Sequence, residues 1–240
     1  MSAPPVQTLW IGPELKPLHQ ACLNSFLAKG HSVHLYCYQK VSGVPSGVII
    51  KNGEDILPQN SIFAYQKGPG RGSFSAFSNV FRYALLFSRG GLWVDTDVFC
   101  LQPFLTEAHS YLFASETLST EKERILASCI IQTPAGSPLM KYCLDESLAT
   151  NHAALEWGEI GPQLLTRAVR KFQLEQFVQP SWKFCAIGWD EPEILWDPAS
   201  PWKPPRRALG LHLNHEMLRR ANKDFTLEIV SKLQKWIEHP

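Results

Sequence analysis

The order of short apolar segments and amphipathic stretches near the N-terminus limits what this chain can fold into. Residues 6–12 form a short apolar segment that ends before Pro13, which predicts a buried strand. A helical period of apolar residues runs from Leu15 to Leu27, and Gly30 is placed to end the helix. Residues 32–38 and 48–51 predict two further strands. This order predicts an α/β fold with a mostly parallel central sheet flanked by helices.

The same alternation continues along the rest of the chain. It predicts strands at 111–114, 125–131 and 208–213, and helices at 138–148, 162–172 and 224–237. With no internal repeat and no obvious linker, residues 1–240 are expected to form a single domain. Six prolines and four tryptophans between residues 180 and 205 predict an irregular segment that binds an acceptor or closes as a lid.

Composition excludes several classes of protein. With 23 Lys and Arg against 22 Asp and Glu, the net charge is +1, which argues against a nucleic-acid partner. A hydrophobic fraction of 45% argues against disorder. The sequence has no apolar run long enough for a membrane span and no signal-peptide pattern, so we expect a non-exported protein. The cysteines lack zinc-type spacing and are expected to be buried free thiols in a reducing cytoplasm: Cys22, Cys37, Cys100, Cys129, Cys143 and Cys185.

A long helix is predicted between the glycine-rich residues 67–72 and the Gly90-Gly91 pair, with Ser73 as its N-cap. At helical spacing this segment has one mainly apolar face and an adjoining polar face. The apolar face comprises Phe74, Phe77, Phe81, Ala84, Leu85 and Ser88, and the polar face comprises Ser75, Ser78, Asn79 and Arg82.

Two carboxylates follow a short buried strand directly after that helix. Residues 92–94 run into Asp95-Thr96-Asp97, which places both acids at the carboxyl end of a strand, where open α/β sheets bind ligands. Carboxylate oxygens suit Mg²⁺ or Mn²⁺, and such ions bind phosphate oxygens, so a diphosphate substrate is indicated. A chain of this length contains roughly one D-x-D by chance, and the local context leaves a metal–phosphate site and a solvated loop as equal alternatives.

The residues around this tripeptide also carry a family resemblance. Residues 78–83, 90–98 and 101–104 resemble the central motif of the DxD sugar-transferase family, which includes bacterial lipooligosaccharide α-1,4-galactosyltransferases and fungal α-mannosyltransferases. Residues 9–12, 161–166 and 211–214 extend the resemblance over nearly the whole chain. It implies a GT-A-like nucleotide-sugar-binding fold.

The resemblance also implies roles for individual residues. Asp95 and Asp97 would hold Mn²⁺ or Mg²⁺ on the donor diphosphate, and His212 would be a third metal or phosphate contact, although an ordinary strand-end histidine is the alternative. Arg82 and Asn79 would contact the donor sugar, and many relatives carry Asp where this chain has Asn79. Asp95, Asp97 and Arg82 are thus the catalytic candidates. The donor-binding candidates are Leu9, Trp10, Ile11, Ser78, Asn79, Arg82, Gly161, Pro162 and Asn214.

Three of the implied roles have structural alternatives. Trp10 either stacks on the nucleoside base or packs in the core. Gly161-Pro162 either allows close approach of the backbone to substrate or begins a helix. Glu116 is a candidate carboxyl in the cleft or an ordinary loop glutamate. The implied reaction retains anomeric configuration, and the residues leave open whether an enzyme carboxylate or a same-face attack achieves this.

The resulting functional hypothesis is a metal-dependent, retaining hexosyltransferase with a nucleotide-sugar donor, a UDP-sugar being favoured, and a glycan or glycolipid acceptor. The apolar stripe of the C-terminal helix would either rest on the inner face of a membrane or pack against the domain. A non-catalytic carbohydrate-binding module and a degenerate transferase are alternative functions. A D-x-D phosphohydrolase fits less well, because such enzymes usually place the pair near the N-terminus and no Asp-Asp pair follows Asp97.

Overall fold

The computed structural model describes residues 4–107, 110–116, 125–191, 193–197, 199–223 and 225–238. Within these ranges the strands are β1 Val6–Trp10, β2 Val33–Cys37, β3 Val48–Asn52, β4 Gly91–Val94, β5 Val98–Cys100, β6 Leu112–Ser115, β7 Leu126–Thr133 and β8 Gly210–His212. The α-helices are α1 Pro17–Ala28, α2 Ser75–Arg89, α3 Pro138–Ala149, α4 Leu164–Lys171, α5 Glu193–Trp196, α6 His215–Arg220 and α7 Leu227–Glu238.

The main sheet has six strands in the order β3-β2-β1-β4-β7-β6. Strands β3, β2, β1 and β4 run parallel, whereas β7 is antiparallel to both β4 and β6. Val6 of β1 lies opposite Val33 of β2 on one side and opposite Leu92 of β4 on the other. The predicted α/β fold with a mostly parallel central sheet is therefore confirmed.

Helix α2 differs from the prediction at its start. It begins at Ser75, with Phe74 at the cap position, so the prediction that Ser73 is the N-cap was wrong. The Ser73 hydroxyl instead accepts a hydrogen bond from the Ser75 amide at 3.3 Å. The helix ends before Gly90 as predicted, where the positive φ of 64° and the closely packed backbone of residues 134 and 135 leave no room for a side chain.

Strands β5 and β8 form a separate two-stranded antiparallel sheet. Val98 pairs with His212, and Phe99 pairs with Leu211. The last predicted strand is thus confirmed as β8, whereas the sequence analysis predicted neither β5 nor α6. Since β4 and β5 are separated by residues 95–97, the D-x-D tripeptide connects the two sheets.

Helix α7 packs against the domain through its apolar stripe. Val230 and Leu233 are buried in one cluster with Leu18 and Cys22 of α1, and α1 and α7 are in contact. The ring of Trp236 lies 6.0 Å from that of Trp202. Packing against the domain therefore accounts for the apolar stripe, for which the sequence analysis also considered contact with a membrane. Among the described residues, no helix is long and apolar enough to cross a membrane.

The described residues between 180 and 205, namely 180–191, 193–197 and 199–205, are largely irregular, as predicted, apart from a short 3-10 turn at Ser181–Lys183 and helix α5. The side chains of Trp182 and Trp189 are exposed. All six cysteines are buried and none is in a disulfide, as expected from their spacing.

Candidate functional site

A cavity of about 580 Å³ opens at the carboxyl ends of β1 and β4. Almost every residue that the sequence nominated lines it: Leu9, Trp10, Ile11, Ser78, Asn79, Arg82, Asp95, Asp97, Glu116, Pro162, His212 and Asn214. Gly161 is the exception, because it lies beneath Asn79. A Cβ built on Gly161 would stand 2.7 Å from Asn79 Nδ2, so this glycine makes room for the asparagine.

Asp95 is held in place from two sides. Its Oδ1 accepts a hydrogen bond of 2.7 Å from Trp93 Nε1 and lies 3.1 Å from Arg82 Nη1. Its backbone amide donates to the carbonyl of Cys129 at 2.8 Å, which continues the pairing of β4 with β7. Burial raises the pKa of the Asp95 carboxyl, and the Arg82 guanidinium opposes that shift. The carboxylate is therefore oriented before any ligand arrives.

Asp97 lies in the turn that joins the two sheets. The Val98 amide donates to the Asp95 carbonyl at 3.1 Å, which closes the turn. Asp97 Oδ2 accepts from the His215 amide at 3.0 Å, and Asp97 Oδ1 lies 3.5 Å from His212 Nε2. Burial alone would raise the pKa of this carboxyl, but His212 and the His215 amide hold it well below its usual range. Asp97 is therefore the more strongly acidic of the two.

His212 completes the group from the end of β8. One ligand atom from each of Asp95, Asp97 and His212 lies within 4.8 Å of the other two. Burial would lower the pKa of His212, but the neighbouring Cys129 and Asp97 raise it well above its usual value. Its Nδ1 is buried and has no hydrogen-bond partner among the described residues. Two carboxylates and one imidazole are a donor set that suits Mn²⁺.

The charges around the cavity also favour a cation. Among the described lining residues, Arg82 is the only Lys or Arg, whereas four carboxylates face the cavity from Asp95, Asp97, Glu116 and Glu216. A positive ion would offset the repulsion between these carboxylates and an anionic ligand such as a diphosphate. The arrangement is therefore a candidate site for a divalent cation.

Arg82 is engaged by the protein itself. Its Nε and Nη2 donate to the backbone and hydroxyl oxygens of Ser78 at 3.1 and 3.0 Å, and Nη1 donates to the carbonyl of Ser128. Its guanidinium also lies 4.8 Å from the centre of the Trp93 ring, and the residue is only 2% exposed. These contacts make Arg82 a support for Asp95. A contact of Arg82 with the donor sugar stays a prediction.

Asn79 occupies the cavity wall one helical turn before Tyr83. It is buried, at 5% exposure, and its Oδ1 has no hydrogen-bond partner among the described residues. Tyr83 donates from its hydroxyl to the Ile160 carbonyl at 3.0 Å, which fixes the turn Glu159–Gln163 beside Asn79. An unpaired amide oxygen at this place is suited to accept a hydrogen bond from a ligand hydroxyl.

The end of β1 forms another wall. Trp10 contacts the His19 ring, with ring centres 4.5 Å apart, and its Nε1 is buried without a hydrogen-bond partner among the described residues. Asn214 lies at the start of α6 with a positive φ of 52°, and its Nδ2 is 3.5 Å from the Ile187 carbonyl. Trp10 therefore lines the cavity, and its contact with a nucleoside stays a prediction.

The sequence analysis missed several residues that shape the site. Trp93 orients Asp95 through its ring N–H, and His215 orients Asp97 through its backbone amide. Glu216 holds the rim by accepting hydrogen bonds from Ser73 and Arg219, at 3.3 and 2.8 Å. Trp93 could have been found from its place within the motif. The others depend on α6, a helix of six residues that gave no periodic signal.

The fold and the site define the class of protein: an open α/β sheet with an acidic candidate cation site at its strand ends. Within that class, residues 22–119 match the family described as "Glycosyltransferase sugar-binding region containing DXD motif". This stretch includes α2, β4 and Asp95-Thr96-Asp97. The match agrees with the resemblance seen in the sequence: these residues are similar to the sugar-binding region of the DXD glycosyltransferases.

Named proteins and one solved structure are also similar to the chain. Mouse lactosylceramide 4-alpha-galactosyltransferase is 28% identical over 65% of the chain, and human alpha-1,4-N-acetylglucosaminyltransferase is 28% identical over 43%. The chain spans 40% and 28% of the lengths of these two proteins. The solved structure titled PaToxG Glycosyltransferase is 13% identical, with 72% of each chain covered and a TM-score of 0.49.

Proposed function

We propose that this chain is a metal-dependent, retaining glycosyltransferase that moves a hexose from a nucleotide-sugar donor to a glycan or glycolipid acceptor. The observation that carries the proposal is the convergence of Asp95, Asp97 and His212 on one point of the cavity wall. Asp95 and Asp97 lie within the residues that match the DXD family, and His212 reaches them from the second sheet. A UDP-sugar is the favoured donor.

Asp95, Asp97 and His212 would hold Mn²⁺ or Mg²⁺ in this proposal. Such an ion neutralises the charge that develops on a departing nucleoside diphosphate. The contribution of the chain is to fix the ligands in advance. Trp93 and Arg82 hold one oxygen of Asp95, and the His215 amide holds one oxygen of Asp97, so little reorganisation is needed when donor binds.

Donor recognition is assigned to the walls formed by β1 and α2. Leu9, Trp10 and Ile11 would face the nucleoside, with Trp10 stacking on the base or donating from its free ring N–H. The buried, unpaired Oδ1 of Asn79 would accept from a sugar hydroxyl. The resemblance implies an Asp at this position in many relatives, whereas Asn79 is neutral. Asn79 would therefore favour a different set of contacts with the sugar hydroxyls than a carboxylate does.

Retention is proposed from the linkage named in the relatives and from a carboxyl in the cavity. An α-linked product formed from an α-linked nucleotide hexose requires net retention at the anomeric carbon. Glu116 lines the cavity, and its Oε2 is buried without a hydrogen-bond partner among the described residues. Glu116 is therefore the candidate for a carboxylate that stabilises positive charge on the sugar ring.

The acceptor is proposed to enter past the tryptophan-rich segment, within a single domain that comprises residues 1–240. Trp189 lines the cavity and is 46% exposed, so its ring is free to stack on a sugar. The apolar stripe of α7 has no part in acceptor binding here, because it is covered by the domain.

The test is thermal unfolding of the wild-type protein with UDP, GDP and CDP and their sugars, each with and without Mn²⁺. We expect one nucleotide class to raise the unfolding temperature, and only when Mn²⁺ is present. Ligand at about 100 times its Kd should add roughly 2.7 kcal/mol. Asp97→Ala should lose the shift.

Asp145→Ala is the matched control, because Asp145 is an exposed aspartate that pairs with Lys141 on α3. This variant should keep the full shift. A nucleotide shift that is independent of Mn²⁺ or retained by Asp97→Ala would refute the metal assignment. Release of inorganic phosphate from the nucleotide would favour a phosphohydrolase, and binding of glycan without nucleotide would favour a carbohydrate-binding module.

A further inference from the structure

Two buried thiols lie behind the imidazole that faces the aspartates. Cys129 is in β7, and Cys185 follows the 3-10 turn Ser181–Lys183. Their sulfur atoms are 3.8 Å apart, and neither residue is in a disulfide. One ligand atom from each of Cys129, Cys185 and His212 lies within 4.8 Å of the other two. His212 is therefore shared by two groups of metal-ligating side chains.

The spacing of the sulfurs matches a tetrahedral zinc site. At a Zn–S length of about 2.3 Å, two sulfurs on a tetrahedron are about 3.8 Å apart. A disulfide would require an S–S distance of about 2.05 Å, so these thiols are placed for a shared ion and not for a bond to each other. Thiolates and imidazole prefer Zn²⁺ to the Mn²⁺ or Mg²⁺ that carboxylates bind.

We propose that Cys129, Cys185 and His212 form a second metal site, selective for thiophilic divalent cations such as Zn²⁺. Binding forms two zinc–sulfur bonds and one zinc–nitrogen bond, and the two thiol protons, together with the proton that a charged His212 carries on the bound nitrogen, are released to solvent. A fourth position stays open on the cavity side, since Cys129 also lines the cavity. This site is distinct from the aspartate pair in its ligands and in the ion it selects.

Burial of cysteines among apolar residues is common, but His212 sets this pair apart. Cys22 and Cys143 are equally buried, yet neither belongs to a group of three metal-ligating side chains among the described residues. Beside Cys129 and Cys185, the imidazole of His212 completes such a group, and its Nδ1 has no hydrogen-bond partner among the described residues.

Sharing of the imidazole has a functional consequence that rests on the proposed function. Zn²⁺ bound to Cys129 and Cys185 takes His212 as its third ligand, and the Nε2 of that imidazole lies 3.5 Å from Asp97 Oδ1. The aspartate pair then loses its nitrogen ligand. Zn²⁺ is therefore expected to inhibit the Mn²⁺-dependent reaction by occupying the neighbouring site.

The binding test uses the reduced, metal-free protein titrated with Co²⁺ as a spectroscopic probe for zinc sites. We expect one equivalent of Co²⁺ to produce a thiolate-to-cobalt charge-transfer band, which Zn²⁺ then abolishes by displacement. Cys129→Ala and Cys185→Ala should lose the band. Cys143→Ala, which removes an equally buried thiol from α3, should keep it.

A second measurement uses only the wild-type protein, so misfolding of a variant cannot affect its result. X-ray absorption on the wild-type zinc complex should give two sulfur ligands per zinc at about 2.3 Å and nitrogen at about 2.0–2.1 Å. A shell of oxygen and nitrogen alone would overturn the proposal. So would a charge-transfer band that survives in the Cys129→Ala/Cys185→Ala double variant.

The activity test separates this inference from the proposed function. Zn²⁺ should inhibit Mn²⁺-supported transfer by the wild type and by Cys143→Ala, and the double variant should resist it. Equal inhibition of all three proteins would refute the sharing of His212. If none of them transfers sugar, the proposed function fails, while the cobalt titration still decides whether the thiol site exists.

Discussion

Glu116 is a carboxyl held against the cavity wall with one of its oxygens cut off from solvent. Burial raises its pKa, and the positive charge of His212 only partly offsets this. A carboxyl whose pKa is higher in the folded than in the unfolded state lowers the free energy of unfolding at pH values above its unfolded pKa of about 4.3. There the unfolded state ionises freely, whereas the folded state must either ionise the buried carboxyl or keep its proton. The cost disappears below that value, because the carboxyl is then protonated in both states.

Glu116→Gln removes this titration. We therefore expect the unfolding temperature of the variant, relative to wild type, to become more positive as pH rises from about 4 to about 8. Calorimetry on metal-free protein measures it. Glu175→Gln, on the exposed surface, should show no such trend. A difference that becomes more negative with rising pH would mean that ionised Glu116 is stabilised by a contact.

Individual residues differ in how far the sequence reveals them. Asp95, Asp97 and His212 were named from their motif and strand ends, and the structure brings them together. The contacts of Arg82 were not foreseeable, because they depend on the Ser128 carbonyl, 46 residues away in β7. The room that Gly161 leaves for Asn79 likewise depends on a contact between distant segments, which local spacing does not encode.

Helix α7 shows what an amphipathic pattern establishes about an element. The pattern predicted the helix, but it could not tell whether the apolar stripe faces lipid or protein, since both are apolar. The structure places the stripe against α1 and the second sheet, with Leu233 1% exposed and Leu227 71% exposed on the same helix.

Leu233→Ala should reduce the free energy of unfolding by about 2–5 kcal/mol, because it empties a packed site. Leu227→Ala should change it by less than about 0.5 kcal/mol. Denaturant unfolding of both variants provides the measurement. Equal and small effects would show that α7 contributes little to the folded core and would reopen a role for its stripe at another surface.

Short elements such as β5 and α6 were not predicted from the sequence, for a physical reason. Strand β5 has three residues and α6 has six, too few for a hydrophobic period to be recognised. Strand β5 exists because β8 supplies its hydrogen-bond partner from more than a hundred residues later. The longer elements, from β1 to α4, carried their own periodicity and were predicted near their observed positions.

At the scale of the molecule, the candidate cation site connects two sheets. Asp95 follows β4 of the main sheet, whereas His212 ends β8 of the second sheet. The Leu213 amide donates to the Asp97 carbonyl at 3.0 Å, and the His215 amide donates to its carboxylate. Ion binding should therefore restrain the start of α6 relative to the main sheet.

Hydrogen exchange can detect this restraint. Mn²⁺ should slow exchange of the Leu213 and His215 amides more than that of β2 and β3, which lie far along the sheet from the site. His212→Ala should remove the difference. Unchanged exchange at Leu213 and His215 in saturating Mn²⁺ would show that the ion does not connect the sheets.

The pairing of β5 with β8 also bears on how the protein is made. A ribosome delivers Asp95 and Asp97 long before His212, and β5 has no partner strand until Gly210–His212 has emerged. The nascent chain can assemble β1 to β4 early, but the acidic turn stays without its histidine until Gly210–His212 has emerged. Cation binding at the candidate site must therefore wait for β8, and a chain that stalls before β8 carries the motif without the site.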